Sequence, residues 1–312
     1  VISMDEIRAA ADRISGRVRR TPVVTVEPSA FGHPVTLKLE HLQHTGSFKP
    51  RGSFNRLLSH TIPDTGVIAA SGGNHGLAVA YAARELGVPA EVFVPETSSP
   101  VKVRRLVGYG ARVTQVGRQY AEAYAASVER AAATGALVVH AYDDPEVQAG
   151  QGTVGLELAE QAPGVDTVVV AVGGGGLIGG IAAWYGGTVQ VVAVEPHRAA
   201  TLAGALAAGR PVDVDVDGVA ADSLGARRIS GLTLETAVAT GVRSVLVDDK
   251  AIMDARQLLW DELRLAVEPG GAAALAALVG GAYQPATDER VAVVVCGANT
   301  DPADLAAVRS AS

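Results

Sequence analysis

Apolar residues along the chain fall into short continuous runs and longer stretches with helical spacing. From residue 67 the two alternate: "GVIAAS" predicts a strand, "NHGLAVAYAAREL" a helix closed by Gly87, and "AEVFVP" the next strand. Ser99-Pro100 has the N-cap and N1 character of a helix start, and "ARVTQV", "YAEAYAASVERAA" and "ALVVHA" carry the alternation to about residue 141. A second series begins near residue 145, with strands "TVVVAV", "VQVVAVE", "RSVLV" and "RVAVVVC" separated by helices. Short strands alternating with helices predict parallel βαβ units and sheets covered on both faces. At the N-terminus "SMDEIRAAADRI" predicts a capped amphipathic helix, Ser3 and Glu6 having capping-box spacing, and no signal peptide. "RPVDVDVDG", residues 210–218, predicts a surface connection.

Composition narrows the function classes. With 312 residues, 48% hydrophobic and 19% charged, the chain has room for one large or two modest cores. A net charge of −7 argues against nucleic acid or an anionic membrane as partner. One cysteine excludes an internal disulfide and fits a reducing, cytoplasmic compartment. The longest apolar run, Val168 to Tyr185, contains six glycines and predicts a buried strand, a loop and a helix instead of a bilayer span.

Four stretches carry candidate chemistry. In "HTGSFKPRGSFN" (44–55), Lys49 sits at a loop–helix junction before Pro50, where the helix macrodipole disfavours a cation. The run "VVVAVGGGGLIGGIAAWYGGTVQVVAVEP" satisfies a dinucleotide fingerprint, with Gly174-x-Gly176-x-x-Gly179 between strand and helix and Glu195 after the next strand. Its glycines would admit backbone N–H groups to a phosphate, whichever cofactor carries it; a glycine turn required only for packing is the alternative. "ASGGNHG" (70–76) follows a strand, where ligands bind in open α/β sheets; Asn74 is either a helix cap or a ligand-facing amide. Cys296 ends "VAVVVC", as core filler or as a weak hydrogen-bond partner at a strand end. Metal motifs are poor: Asp213-x-Asp215-x-Asp217-Gly218 opens like a calcium loop, but Leu224 stands where the closing glutamate belongs.

Taken together, "HTGSFKPRG", "SGGNHG", "AGQGT" (149–153), "VGGGGLIGG", "VEPGGAAA" (267–274) and "VCGANTD" resemble, in order, the motifs of fold-type-II pyridoxal-phosphate enzymes, in the serine/threonine dehydratase and serine racemase branch. The resemblance implies a tryptophan synthase β-like fold: two open, mostly parallel twisted sheets, with residues 1–66 and 144–312 forming a large cofactor-binding domain and 67–143 a small one. It implies a Schiff base between Lys49 and pyridoxal 5'-phosphate, Phe48 beside the ring, and Asn74 on its 3-hydroxyl. Gly173, Gly174, Gly175, Gly176 and Leu177 would hold the phosphate. Ser71, Asn74 and His75 would border the substrate carboxylate. Cys296 would meet the pyridine nitrogen in place of a serine or threonine. The implied reaction is β-elimination from L-serine, L-threonine or a similar β-hydroxy amino acid: Lys49 removes the α-proton, the cofactor phosphate protonates the leaving hydroxyl, and the product hydrolyses to a 2-oxo acid and ammonia. Racemisation or β-replacement is the alternative on this fold, and an NAD-dependent oxidoreductase a distant one. The serine that serves the second face in the racemase is here Gly72. Relatives with a divalent cation use the glutamate of an E-P pair and an aspartate six residues on; here Glu195 is followed at that distance by Thr201, which makes Glu195 a weak metal ligand. A homodimer is expected, and no C-terminal regulatory domain.

Overall fold

The computed structural model describes residues 1–307. Among the described residues there are ten strands: β1 (Val23–Val26), β2 (Val35–Lys38), β3 (Val67–Ala70), β4 (Ala90–Val94), β5 (Arg112–Gln115), β6 (Leu137–Val138), β7 (Thr167–Ala171), β8 (Gln190–Pro196), β9 (Arg243–Val247) and β10 (Val291–Val294). They form two sheets, a six-stranded one in the order β1-β2-β10-β7-β8-β9 and a four-stranded one in the order β5-β4-β3-β6. Every pairing is parallel except β1 with β2, in agreement with the α/β expectation. The central strands β7 and β10 are buried along their whole length, which is why they are near-continuous valine. The strand β10, last in the chain, lies between β2 and β7, with Val291 paired to Val35 on one side and to Thr167 on the other.

The N-terminal helix Met4–Ile14 carries the expected capping box between Ser3 and Glu6, and Gly87 closes the helix Asn74–Leu86 in the left-handed conformation. "ALVVHA" contributes only the two-residue β6. Residues 211–217 form neither helix nor strand. Asp213, Asp215 and Asp217 face Arg228, Arg227 and Arg198 respectively, so the acidic run is neutralised by arginines.

All four strands of the smaller sheet fall within residues 67–143, yet its apolar core also takes Ile14, Phe54 and Leu57 from the N-terminal helices. The last five residues of the span 144–312, 308–312, lie outside the described residues. The glycine-rich helix Gly176–Tyr185 packs against Pro145–Gln161 so closely that a Cβ on Gly180 would lie 2.4 Å from the Gln148 carbonyl oxygen. Helix contact therefore explains that end of the glycine run. Similarly, "AGQGT" lies inside the helix Pro145–Gln161, where Gly150 meets the Arg51 backbone and Thr153 meets the Arg51 guanidinium.

Candidate active site

The lysine loop is held by the far end of the chain. Ala298 N–H donates to the Gly46 carbonyl at 2.9 Å and Phe48 N–H to the Cys296 carbonyl at 3.2 Å, with Ser47 and Gly297 bridged between them. Lys49 caps the helix Pro50–Leu58, and Arg51, two residues on, anchors that helix in a buried charge cluster. Its guanidinium donates to Glu40 at 2.8 Å from both Nε and Nη2, and to Glu157 at 2.7 and 2.9 Å. Lys38 completes the cluster at 2.6 Å from Glu157. Burial alone would raise the Glu40 carboxyl, but Arg51, followed by Lys38 and the Thr21 hydroxyl, holds it below the ordinary range. The Lys49 amine thus projects from a rigid support. It donates to the Ala141 carbonyl at 2.8 Å and has no ion-pair partner among the described residues. Desolvation lowers its pKa from 10.5 to about 8, against the opposing pull of Cys296 and Glu268.

A cavity surrounds this amine. Phe48, Lys49, Asn74, Gly173, Gly174, Gly175, Gly176, Leu177 and Cys296, each expected from the sequence, all line it. The glycines run from the end of β7 into the N-terminus of the helix Gly176–Tyr185, where free N–H groups and the macrodipole favour an anion. Gly175 has φ +92°, and a Cβ on Gly174 would stand 2.2 Å from the Tyr142 ring. This cradle admits no side chain. Also lining the cavity, the Cys296 thiol donates to the Gly270 carbonyl at 3.5 Å, and burial pushes it up to about 12, so it stays neutral.

The cavity also includes residues to which no role had been given, among them Tyr142, Ser223 and Glu268. Glu268 is the most consequential. Its carboxylate accepts from Asn74 Nδ2 at 2.6 Å, and burial raises its pKa to about 7. An acid directly before Pro-Gly-Gly in an otherwise apolar stretch was the available signal.

Of the trio expected at the substrate carboxylate, Asn74 lines this cavity. Ser71 Oγ accepts from the Gly73 N–H at 3.2 Å. The His75 ring turns to the Val139 carbonyl, 2.9 Å away, which no ladder bond satisfies beyond β6. Burial, with Lys49 nearby, drops His75 to about 3, so it is neutral and cannot attract a carboxylate as a cation. Glu195 is fully buried, and its oxygens accept from the Leu202 and Ala203 N–H groups at 2.7 and 2.9 Å and from the Thr201 hydroxyl at 3.1 Å. The carboxylate thereby meets the N–H groups that open the helix Thr201–Ala208. Among the described residues no cluster of three or more metal-ligating side chains occurs.

Residues 14–297 match the model of the family described as pyridoxal-phosphate dependent enzyme. The chain is 39% identical to an L-threonine ammonia-lyase of Geobacter sulfurreducens, over 97% of this chain and 77% of that protein. It is 37% identical to a phenylserine dehydratase of Ralstonia pickettii, over 94% of this chain and 92% of the relative. A solved structure of maize serine racemase superposes with a TM-score of 0.92 at 32% identity, covering 99% of this chain and 97% of the other. The chain belongs to the pyridoxal-phosphate-dependent enzyme family, with the fold-type-II architecture. The oxidoreductase alternative is thereby overturned. The cavity fits the cofactor: a glycine cradle in which a Cβ on Gly174 or Gly175 would clash suits a phosphate, and the Lys49 amine and the neutral Cys296 thiol line the same cavity.

Proposed function

We propose that this enzyme catalyses β-elimination from L-threonine, L-serine or a close β-hydroxy amino acid, releasing a 2-oxo acid and ammonia. The observation that carries the reading is the Lys49 amine, without an ion-pair partner among the described residues and held well below its ordinary pKa in a cavity that also presents a neutral thiol. The names of the ammonia-lyase and dehydratase relatives supply the substrate class. Pyridoxal phosphate, when bound, supplies the electron sink that acidifies the substrate α-carbon. Lys49 would hold the cofactor, and its amine, when free, would take the α-proton; its depressed pKa suits a base working near neutrality. Backbone N–H groups of residues 173–177 would hold the phosphate, Phe48 would flank the ring, and Asn74 would meet the 3-oxygen. Cys296 would give the ring nitrogen a neutral partner, which would limit charge storage on the ring and favour loss of the β-hydroxyl. Two units, 1–66 with 144–312 and 67–143, a homodimeric assembly and a cytoplasmic location belong to the same reading, the last supported by the free, buried Cys296.

Racemisation needs an acid–base group on each face of the α-carbon. Lys49 serves one face, and Gly72 leaves the other without a side chain. A Cβ on Gly72 would meet nothing closer than 3.6 Å, the neighbours being Ser98, Val94 and Lys102, so Gly72→Ser fits without strain. The expected result with L-serine and L-threonine is 2-oxo acid with little D-isomer, read by chiral chromatography after partial turnover, and more D-isomer from Gly72→Ser. A wild type that makes D-serine as fast as pyruvate contradicts the assignment. Because Glu195 is saturated by helix N–H groups, exhaustive dialysis against a chelator is expected to leave turnover and Tm unchanged. Loss of activity restored by Mg²⁺ would refute that expectation.

A further inference from the structure

The orientation of the Asn74 amide is set by its neighbours, because each of them can act in one sense only. The Thr45 carbonyl can only accept, and it receives Asn299 Nδ2 at 2.8 Å. The Arg105 guanidinium can only donate, and it meets Asn299 Oδ1. Asn299 is therefore fixed, and its Nδ2 donates to Asn74 Oδ1. Asn74 Nδ2 must then face outward from that contact, and it donates one hydrogen to Glu268 at 2.6 Å. Donors run one way along the whole chain, from the arginine through two amides to the carboxylate, so the dipoles reinforce one another. The second Nδ2 hydrogen of Asn74 is left for the cavity that the residue lines.

We propose that Glu268 is a positioning residue that locks the Asn74 amide with a donor toward the cavity, so that the site stabilises the 3-oxygen of pyridoxal phosphate in its deprotonated form. This rests on the cofactor placement given under the proposed function. An amide turned the other way would offer its carbonyl and favour the protonated oxygen instead. Glu268 is suited to the task in either charge state, since a carboxylic acid still accepts through its second oxygen. The charged and titratable groups that influence it are Asp222 and Arg105, together with Lys49 and Cys296 inside the cavity. Neither buried group offers Asn74 a competing acceptor in its place.

The test is the visible absorption spectrum of the holoenzyme as a function of pH, for wild type, Glu268→Gln, Glu268→Ala and Asn74→Ala, with Asn74→Ala also combined with Glu268→Ala. In Glu268→Ala the long-wavelength band of the deprotonated ring falls about tenfold relative to the short-wavelength band at fixed pH, equivalent to about one pKa unit. Glu268→Gln, which keeps an acceptor, stays within about twofold of wild type. In the Asn74→Ala background, Glu268→Ala produces no further spectral change. Asn299→Ala removes the other pin and shifts the spectrum in the same direction, so a poorly folding Glu268→Ala does not end the test. A wild-type spectrum in Glu268→Ala, or an equal shift with Asn74 already removed, overturns the inference. A wild-type protein that takes up no pyridoxal phosphate overturns the site reading itself, and this inference with it.

Discussion

Lys49→Ala abolishes turnover, by on the order of ten-thousandfold or more, because one change removes both the cofactor's attachment and the α-proton base. The purified variant is expected to lose its covalently held cofactor: borohydride treatment fixes pyridoxal phosphate to a Lys49 peptide in wild type and to no peptide in the variant. The fold survives. In the cofactor-free protein burial holds the Lys49 pKa at about 8, below its ordinary 10.5, so the unfolded chain binds the more protons between those values. Stability contributed at this position is therefore missing below about pH 8 and gained as pH rises toward 10.5. Cofactor-free wild type should gain stability relative to Lys49→Ala over that window, as read by paired denaturant titrations. A variant that unfolds at neutral pH, or that retains turnover, would contradict the role given to this lysine.

The largest loss of stability is expected from Arg51→Met. Arg51, Lys38 and Glu40 are fully buried and Glu157 nearly so, two charges of each sign. Removing the guanidinium leaves two carboxylates facing one ammonium, a change of about 3–5 kcal/mol for a broken buried pair. That corresponds to a fall in Tm on the order of 10 °C. Adding Glu40→Gln to Arg51→Met should recover part of the loss by removing the orphaned charge, and failure to recover any would mean that packing dominates. The Glu40 carboxyl is held low in the folded protein, so the cluster's contribution is present above the ordinary carboxylate range and lost on acidification.

Local pattern made much of this molecule legible. The alternation of apolar runs with helical stretches gave the two parallel sheets, since parallel strands buried on both faces leave that signature. Lys49, Asn74, the glycines and Cys296 could be singled out because each stands near a strand end or helix start, while Phe48 and the roles of all of them toward a cofactor were implied by the resemblance of the motifs to a known family. What remained hidden depends on distant partners. The carboxylate of Glu268 acquires its place only by meeting Asn74, 194 residues away in sequence. His75 was placed correctly on its helix, but its ring follows a carbonyl 64 residues later, which no local rule could indicate. Glu195 illustrates the converse: it satisfied a fingerprint by spacing, while the N–H groups it caps belong to the following helix. The glycine run held two reasons at once, an anion cradle at 173–176 and helix packing at Gly180, and composition cannot separate them.

The position of β10 bears on the order in which the protein comes together. As the chain emerges from the ribosome, β1 and β2 are made well before β10, the strand through which they join the large sheet. Until residues 291–298 are available, the hairpin has no parallel neighbour and the lysine loop has nothing to zip against. The small sheet, by contrast, is built from strands that follow one another closely and can form early. Closing the large sheet requires contacts spanning more than 250 residues, a loop-closure burden that slows folding and exposes strand edges meanwhile. The cofactor therefore cannot guide the early stages of assembly; it is received by a site that exists only once residues 291–298 have been made.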